Sequence, residues 1–176
     1  MLVTRNIDTP LGVMRAAATE QGIVLFDFEY RRMIDNIVKR IETQLEETLQ
    51  PGNHRFIDQV EEEINEYLQG ARITFDVPLH MVGSEFQKNV WMGLLAIPYG
   101  ETRSYKQQSV FLGDEKAVRA VAGANGENGI AIIIPCHRVI GSDGSLTGYG
   151  GGIPRKKWLL EHEAKHSGKH IQATLF

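Results

Sequence analysis

Cysteine is nearly absent from this chain: of 176 residues only Cys136 is one. An internal disulfide is excluded, as is a cysteine-rich zinc site, and a lone thiol fits a reducing compartment. Long apolar runs are missing too, none approaching the ~20 residues that a membrane-spanning helix needs. Met1-Leu2-Val3-Thr4-Arg5 opens no signal peptide, so a cytoplasmic protein is expected. There is no excess of positive charge, the formal net being −3. That figure hides an asymmetry about Gly83. Residues 1–83 hold 8 Lys and Arg against 14 Asp and Glu, and residues 84–176 hold 11 against 8. The length suits one large or two small domains, and 42% hydrophobic content is enough for cores.

What is present before Gly83 reads as α/β. Gly12-Val13-Met14-Arg15-Ala16-Ala17-Ala18 and Gly22-Ile23-Val24-Leu25-Phe26-Asp27-Phe28 predict a hairpin around Thr19-Glu20-Gln21-Gly22. Ile34, Ile37, Val38, Ile41 and Leu45 recur at helical spacing, as do Phe56, Val60, Ile64 and Leu68, with Pro51-Gly52-Asn53 as the loop between. Ile73-Thr74-Phe75-Asp76-Val77-Pro78 alternates as a short strand stopped by its proline. No catalytic constellation emerges here. His54 and His80 stand alone, and Glu61-Glu62-Glu63 reads as a solvated helix face.

After Gly83 the pattern turns helical. Ser84 can cap a helix that turns Phe86, Val90, Leu94 and, at the margin of that face, Trp91 inward, and Pro98-Tyr99-Gly100 ends it. Two short helices follow, about Ser104 to Leu112 and Asp114 to Asn125, broken by Gly113 with Asp114 as a cap. This is helix-turn-helix spacing. On the second helix Arg119, Ala122, Gly123 and Gly126 share one face, while Ala117, Val118 and Val121 occupy the other. Glycine costs ~1 kcal/mol against alanine inside a helix, so Gly123 needs a reason. Close approach of another backbone is one, and tight packing within the protein is the alternative.

The strongest signal is Pro135-Cys136-His137-Arg138-Val139, which follows the apolar run Ile130-Ala131-Ile132-Ile133-Ile134. A thiol carried by a buried segment to a polar turn is a candidate nucleophile, provided that a base or cation stabilises its thiolate. Free cysteine is also among the most buried residue types, so the Cys-His pair alone decides little.

Taken with Asn128, Gly148-Tyr149, Arg119 and Glu163, the motif resembles the O6-alkylguanine-DNA alkyltransferases, over about Ser84 to Glu163. The resemblance implies a ribonuclease-H-like α/β N-terminal domain of structural role (residues 1–83). It implies a mainly α, winged-helix-like C-terminal domain with a helix-turn-helix (residues 84–168), and leaves a surface tail (169–176). The function implied is direct DNA repair. After nucleotide flipping, the alkyl group of O6-alkylguanine, with O4-alkylthymine a second candidate, moves once and irreversibly to Cys136. His137 and Glu163, with a bridging water, would remove the thiol proton. Asn128 would be the hinge, although Gly129 replaces the usual following proline and predicts a looser one. Tyr105 would contact the flipped nucleotide and assist the leaving guanine. Arg119 would enter the base stack from a recognition helix in the minor groove, with Ala120, Ala122, Gly123 and Ala124 against the DNA.

The same resemblance places Tyr149 and Gly150 on one wall of the guanine pocket and Val139 on the other, while Arg138 braces the turn by an ion pair. Gly150 stands where many relatives carry serine or alanine, which suggests a roomy pocket. No cofactor or metal is implied, and the protein is expected to act as a monomer on double-stranded DNA bearing alkylated guanine. The basic second half suits phosphate contacts. A non-catalytic damage sensor of the alkyltransferase-like type is the alternative, and Cys136 argues against it. A Cys-His hydrolase fits less well, because adjacent Cys and His seldom point at each other.

Overall fold

The computed structural model describes residues 1–168, so the tail expected at 169–176 lies outside the described residues. The first half is a four-stranded sheet with two helices. Strands β1 (Val3–Thr9), β2 (Gly12–Thr19) and β3 (Gly22–Phe28) form an antiparallel meander, and the two-residue β4 (Gln50–Pro51) adds in parallel beside β1, for an order β3-β2-β1-β4. The hairpin expected at 12–28 is therefore present, and Pro51, expected in a loop, closes a short edge. Helices α1 (Ile34–Leu45) and α2 (Arg55–Leu68) lie where the periodicity put them. Ile37 and Ile41 of α1, and Ile57, Val60, Ile64 and Tyr67 of α2, are buried.

Two expectations for the first half fail for a single reason. In the Glu61-Glu62-Glu63 run Glu62 is exposed and Glu61 partly so, as expected, but Glu63 is 3% exposed, and its Oε1 accepts the backbone N–H groups of Asp76 (2.9 Å) and Val77 (3.1 Å). Those donors are thereby taken from any strand partner, so residues 73–78 run without strand structure and only Leu79 bridges to Ile23. The two histidines that stood alone are structural: His54 caps α2 through Nδ1, and His80 pairs with Thr19 at 2.8 Å.

In the second half α3 (Glu85–Leu95) opens on a capping box between Ser84 and Gln87. Val90, Trp91 and Leu94 are buried, whereas Phe86 is 45% exposed because the first turn projects beyond the core. The helix pair is α4 (Tyr105–Phe111) and α5 (Val118–Gly126). Asp114 does not cap α5; it closes the preceding turn, its Oδ1 accepting from the N–H of Lys116, and the helix begins four residues later than the sequence suggested. Gln108 and Asn125 exchange two side-chain hydrogen bonds (2.7 and 2.8 Å) that lock α4 to α5, and the Trp91 indole donates to the Ala124 carbonyl at 2.9 Å. A 3-10 turn (Cys136–Arg138), the short parallel pair β5 (Arg103–Ser104) and β6 (Val139–Ile140), and helix α6 (Ile153–His166) complete the described chain. One hydrophobic core runs through both halves, joining Phe26 and Tyr67 to Trp91, Ile134 and Leu159.

Candidate active site

The segment that carries the thiol is a buried succession of turns. Ile130 bridges to Phe26 of β3, after which Ile132 adopts φ +71°, a left-handed conformation rare for a β-branched residue. The strain is held by a dense backbone network: Phe26 donates to the Gly129 carbonyl and accepts from Ala131, while Ile134 donates to Ile130. Gly129 is packed as well, since a Cβ there would meet Ile37 at 2.8 Å. The looser hinge expected at Asn128-Gly129 is thus pinned against α1 and β3. Asn128 itself is buried. Its Nδ2 donates to the Ile134 carbonyl at 2.9 Å and contacts Cys136 Sγ at 3.4 Å, so one amide fixes both the turn and the sulfur.

Beneath Cys136 lies a closed polar cluster. His137 is fully buried, with Nε2 2.8 Å from Glu163 Oε2. Glu163, on α6, also accepts from Arg138 Nε (2.8 Å) and Nη2 (3.0 Å) and from the hydroxyl of Tyr67 (2.5 Å). The Arg138–Glu163 contact is an ion pair, the kind of brace expected for the turn, and Arg138 Nη1 donates further to the Ile97 carbonyl. Burial would raise the Glu163 pKa, but the hydrogen bonds from His137 and Arg138 and the charge of Arg138 oppose it and keep the carboxylate ionised. Burial holds His137 below the usual imidazole range in spite of Glu163. Among the described residues its Nδ1 finds no hydrogen-bond partner. Burial pushes the Cys136 thiol up, opposed mainly by the Asn128 hydrogen bond. A protonated thiol beside a neutral imidazole with a bare acceptor nitrogen needs a proton transfer before it can attack.

Cys136 is half-buried at a cleft of about 230 Å³. The cleft is lined by Tyr105, by Gly148, Tyr149 and Gly150 of the loop before α6, by Ala122, Asn125 and Gly126 of α5, and by Arg31, Arg32 and Met33 of the β3–α1 connection. The Tyr105 hydroxyl donates to the Thr147 carbonyl at 3.0 Å, and the Tyr149 hydroxyl is buried without a hydrogen-bond partner among the described residues. Val139, expected on a wall, does not line the cleft: β6 pairing buries it completely. Ala124, expected on the outer face of α5, points into the core at 4% exposure. Arg119, Ala120, Gly123 and Gly126 are exposed and Ala122 partly so. Among the described residues a Cβ at Gly123 or Gly126 would meet nothing within 4 Å, which argues against internal packing as their reason. Among the described residues Arg119 has no hydrogen-bond or ion-pair partner.

Three participants escaped the sequence reading. Tyr67 reaches Glu163 from α2; it was not on the stripe read from the sequence, and its only signal is its i+3 spacing from Ile64. Lys156, fully buried, donates from Nζ to the carbonyls of Val139 (2.6 Å) and Thr147 (2.9 Å) and anchors the wall loop. Arg31 enters from the half assigned a purely structural role. Among the described residues no group of three or more His, Cys, Asp and Glu side chains could hold a metal ion.

Comparison with known proteins gives the family of the chain. Residues 2–81 match the model of the 6-O-methylguanine DNA methyltransferase ribonuclease-like domain, and residues 85–165 that of the 6-O-methylguanine DNA methyltransferase DNA-binding domain. The chain belongs to the 6-O-methylguanine DNA methyltransferase family. A methylated-DNA–protein-cysteine methyltransferase of Mycobacterium bovis is 47% identical over all of this chain and 99% of its own length. One from Methanosarcina barkeri is 43% identical over 89% of this chain and 94% of its own. The crystal structure of Mycobacterium tuberculosis O6-methylguanine methyltransferase superposes with a TM-score of 0.80 at 39% identity, covering 99% of each chain. Mycobacterium tuberculosis OGT in complex with DNA gives 0.79 at 40% identity, over 96% of this chain and 97% of that one. As a member of the family, this chain is a DNA-repair protein that transfers an alkyl group from DNA to cysteine. No described helix is long and apolar enough to cross a membrane.

Proposed function

We propose that Cys136 is the alkyl acceptor and that the lesion is an O6-alkylguanine swung out of the duplex into the cleft beside it. The observation that carries this reading is the only thiol in the chain, standing at the cleft above a neutral His137 whose Nε2 is tied to Glu163 and whose Nδ1 is bare. A water between thiol and Nδ1 would pass the proton to His137, and Glu163 would stabilise the imidazolium. Sulfur then attacks the alkyl carbon: an S–C bond forms as the C–O bond to guanine breaks, and the departing guanine anion takes up a proton from water while the imidazolium returns its own to water, so that no net proton is gained or lost. The thioether carries no leaving group, so each molecule reacts once.

The exposed row of α5 supports minor-groove docking. Its small residues allow the helix backbone near the phosphates, and Arg119 is free to fill the gap left by the flipped nucleotide, whose unstacking costs a few kcal/mol. Tyr105 and Tyr149 would flank the base. The protein would work as a monomer, since one copy supplies every group named, with residues 1–83 and 84–168 as its two domains and the cytoplasm as its compartment.

The test is intact mass after mixing with a duplex holding one O6-methylguanine. The expected result is a gain of one methyl, located on Cys136, stopping at one per molecule and absent from Cys136→Ala. Arg119→Ala should keep its fold and transfer ~10- to 100-fold more slowly, the scale of a lost positioning contact. Binding of the lesion duplex with no mass gain would replace this reading with a non-catalytic sensor.

A further inference from the structure

The connection between β3 and α1 brings into the cleft an arginine that the reaction as described does not use. The side chain of Arg31 is 5% exposed, and its guanidinium spans the seam between the two halves. Nη1 donates to the Asp27 carboxylate and to the Asn128 carbonyl, both at 3.0 Å, Nη2 to the Gly126 carbonyl at 2.8 Å, and Nε to the Arg32 carbonyl at 2.7 Å. Four of its five N–H donors are committed, two of them to the end of α5 and to the hinge that positions Cys136. Such a group is stiff, because moving it breaks several buried hydrogen bonds together.

This guanidinium faces Gly150. A Cβ built at Gly150 would lie 2.3 Å from Arg31 Cζ, 2.4 Å from Nη2 and 2.7 Å from Nε, all closer than real Cβ contacts come. The backbone at Gly150 is not left-handed, so its conformation does not demand glycine. The arginine does. The missing side chain at position 150 therefore leaves no extra room, and the roomy pocket suggested by the sequence is occupied from the other half of the molecule.

We infer that Arg31 is the specificity-determining wall of the alkyl pocket, its tethered guanidinium standing where a side chain at position 150 would stand and limiting the size of the alkyl group that Cys136 accepts. The inference rests on Cys136 being the acceptor. It makes Arg31 and Gly150 a coupled pair: a change at 150 is tolerated only if Arg31 changes too, and a smaller or more flexible residue at 31 admits a larger group.

Single-turnover rates on duplexes carrying O6-methylguanine or O6-benzylguanine test this, with circular dichroism confirming the fold. The proteins are wild type, Arg31→Lys, the double variant Asp27→Asn/Arg31→Met, which leaves no unpaired buried carboxylate, and Gly150→Ala in each background. The expected result is that Gly150→Ala slows methyl transfer ~10-fold in the wild type and less than ~3-fold once Arg31 is replaced, while the benzyl-to-methyl rate ratio rises ~10-fold, the range of a pocket methylene or two. An equal penalty for Gly150→Ala in all backgrounds, or an unchanged ratio, overturns the inference. If Arg31→Lys does not fold, the double variant decides alone. Wild-type protein that gains no methyl at Cys136 defeats the reading of the site instead, so the two failures are distinguishable.

Discussion

At the scale of single residues the site works by withholding a charge until it is needed. The Cys136 thiol is raised by burial and His137 is lowered by burial, so at neutral pH the resting pair is thiol and imidazole. The transfer rate should therefore be flat from about pH 6.5, the ordinary histidine value, to about pH 8, and fall below that range only as far as His137 protonates. In a His137→Gln variant the base is gone and only free thiolate reacts. Its rate should climb ~10-fold per pH unit up to the raised thiol pKa, a slope that stopped-flow quenching of a fluorescent lesion duplex would read. A flat profile in the variant would remove His137 from the proton path. The Pro135-Cys136-His137-Arg138 motif was legible because its chemistry is contiguous in sequence, and Glu163 and Arg119 because the family motif carries them. Tyr67 and Arg31 were not, since each acts on a partner far along the chain: Tyr67 is 96 residues from Glu163, and Arg31 is 97 from Asn128. Lys156 was missed for another reason, since its partners are backbone carbonyls of Val139 and Thr147, which carry no side-chain signature. Periodicity reports which face such a residue occupies and says nothing of what waits there.

At the scale of elements, legibility followed local chemistry. The Ser84 cap of α3, the start of α4 at about Ser104, the 12–28 hairpin and the stripes of α1 and α2 depend on residues within a few positions of each other, and they appear where the sequence placed them. The strand expected at 73–78 depended on a free edge, which a carboxylate from α2 had claimed, and β1 and β4 exist because each finds a partner strand. Helix α5 shows both kinds of cause. Val121 and Ala124 face the core, while Gly123 faces open space, so a methyl there has nothing to clash with inside the protein. Gly123→Ala should accordingly stabilise the fold by about 0.5–1 kcal/mol, the helix-propensity gain. If α5 lies against DNA, the same methyl should weaken duplex binding severalfold. Urea unfolding and fluorescence anisotropy of a labelled duplex measure the two effects separately. A variant that is more stable and binds as tightly as wild type would leave the glycine without a role at the interface.

At the scale of the whole molecule the buried titratable groups set how stability depends on pH. His137 and His162 both have pKa values lowered by burial, so below about pH 6.5 the unfolded chain binds protons that the folded one refuses, and stability falls as pH falls. Glu163, held ionised in the fold, adds a second loss below about pH 4.3, where unfolded carboxylates protonate. Asp27 runs the other way. Burial outweighs Arg31 and raises its pKa to about 6, so between pH 6 and 4 the folded state binds more protons than the unfolded one and gains stability as pH falls. Wild-type protein should thus be most stable near or above neutral pH and lose stability gradually on acidification, the Asp27 gain partly offsetting the histidine loss. Asp27→Asn removes the offset without touching the histidines. Its urea midpoint should fall more steeply than the wild type's between pH 6 and 4, and parallel curves for the two proteins would mean that Asp27 is ionised throughout that window, held by Arg31 as a permanent ion pair at the seam.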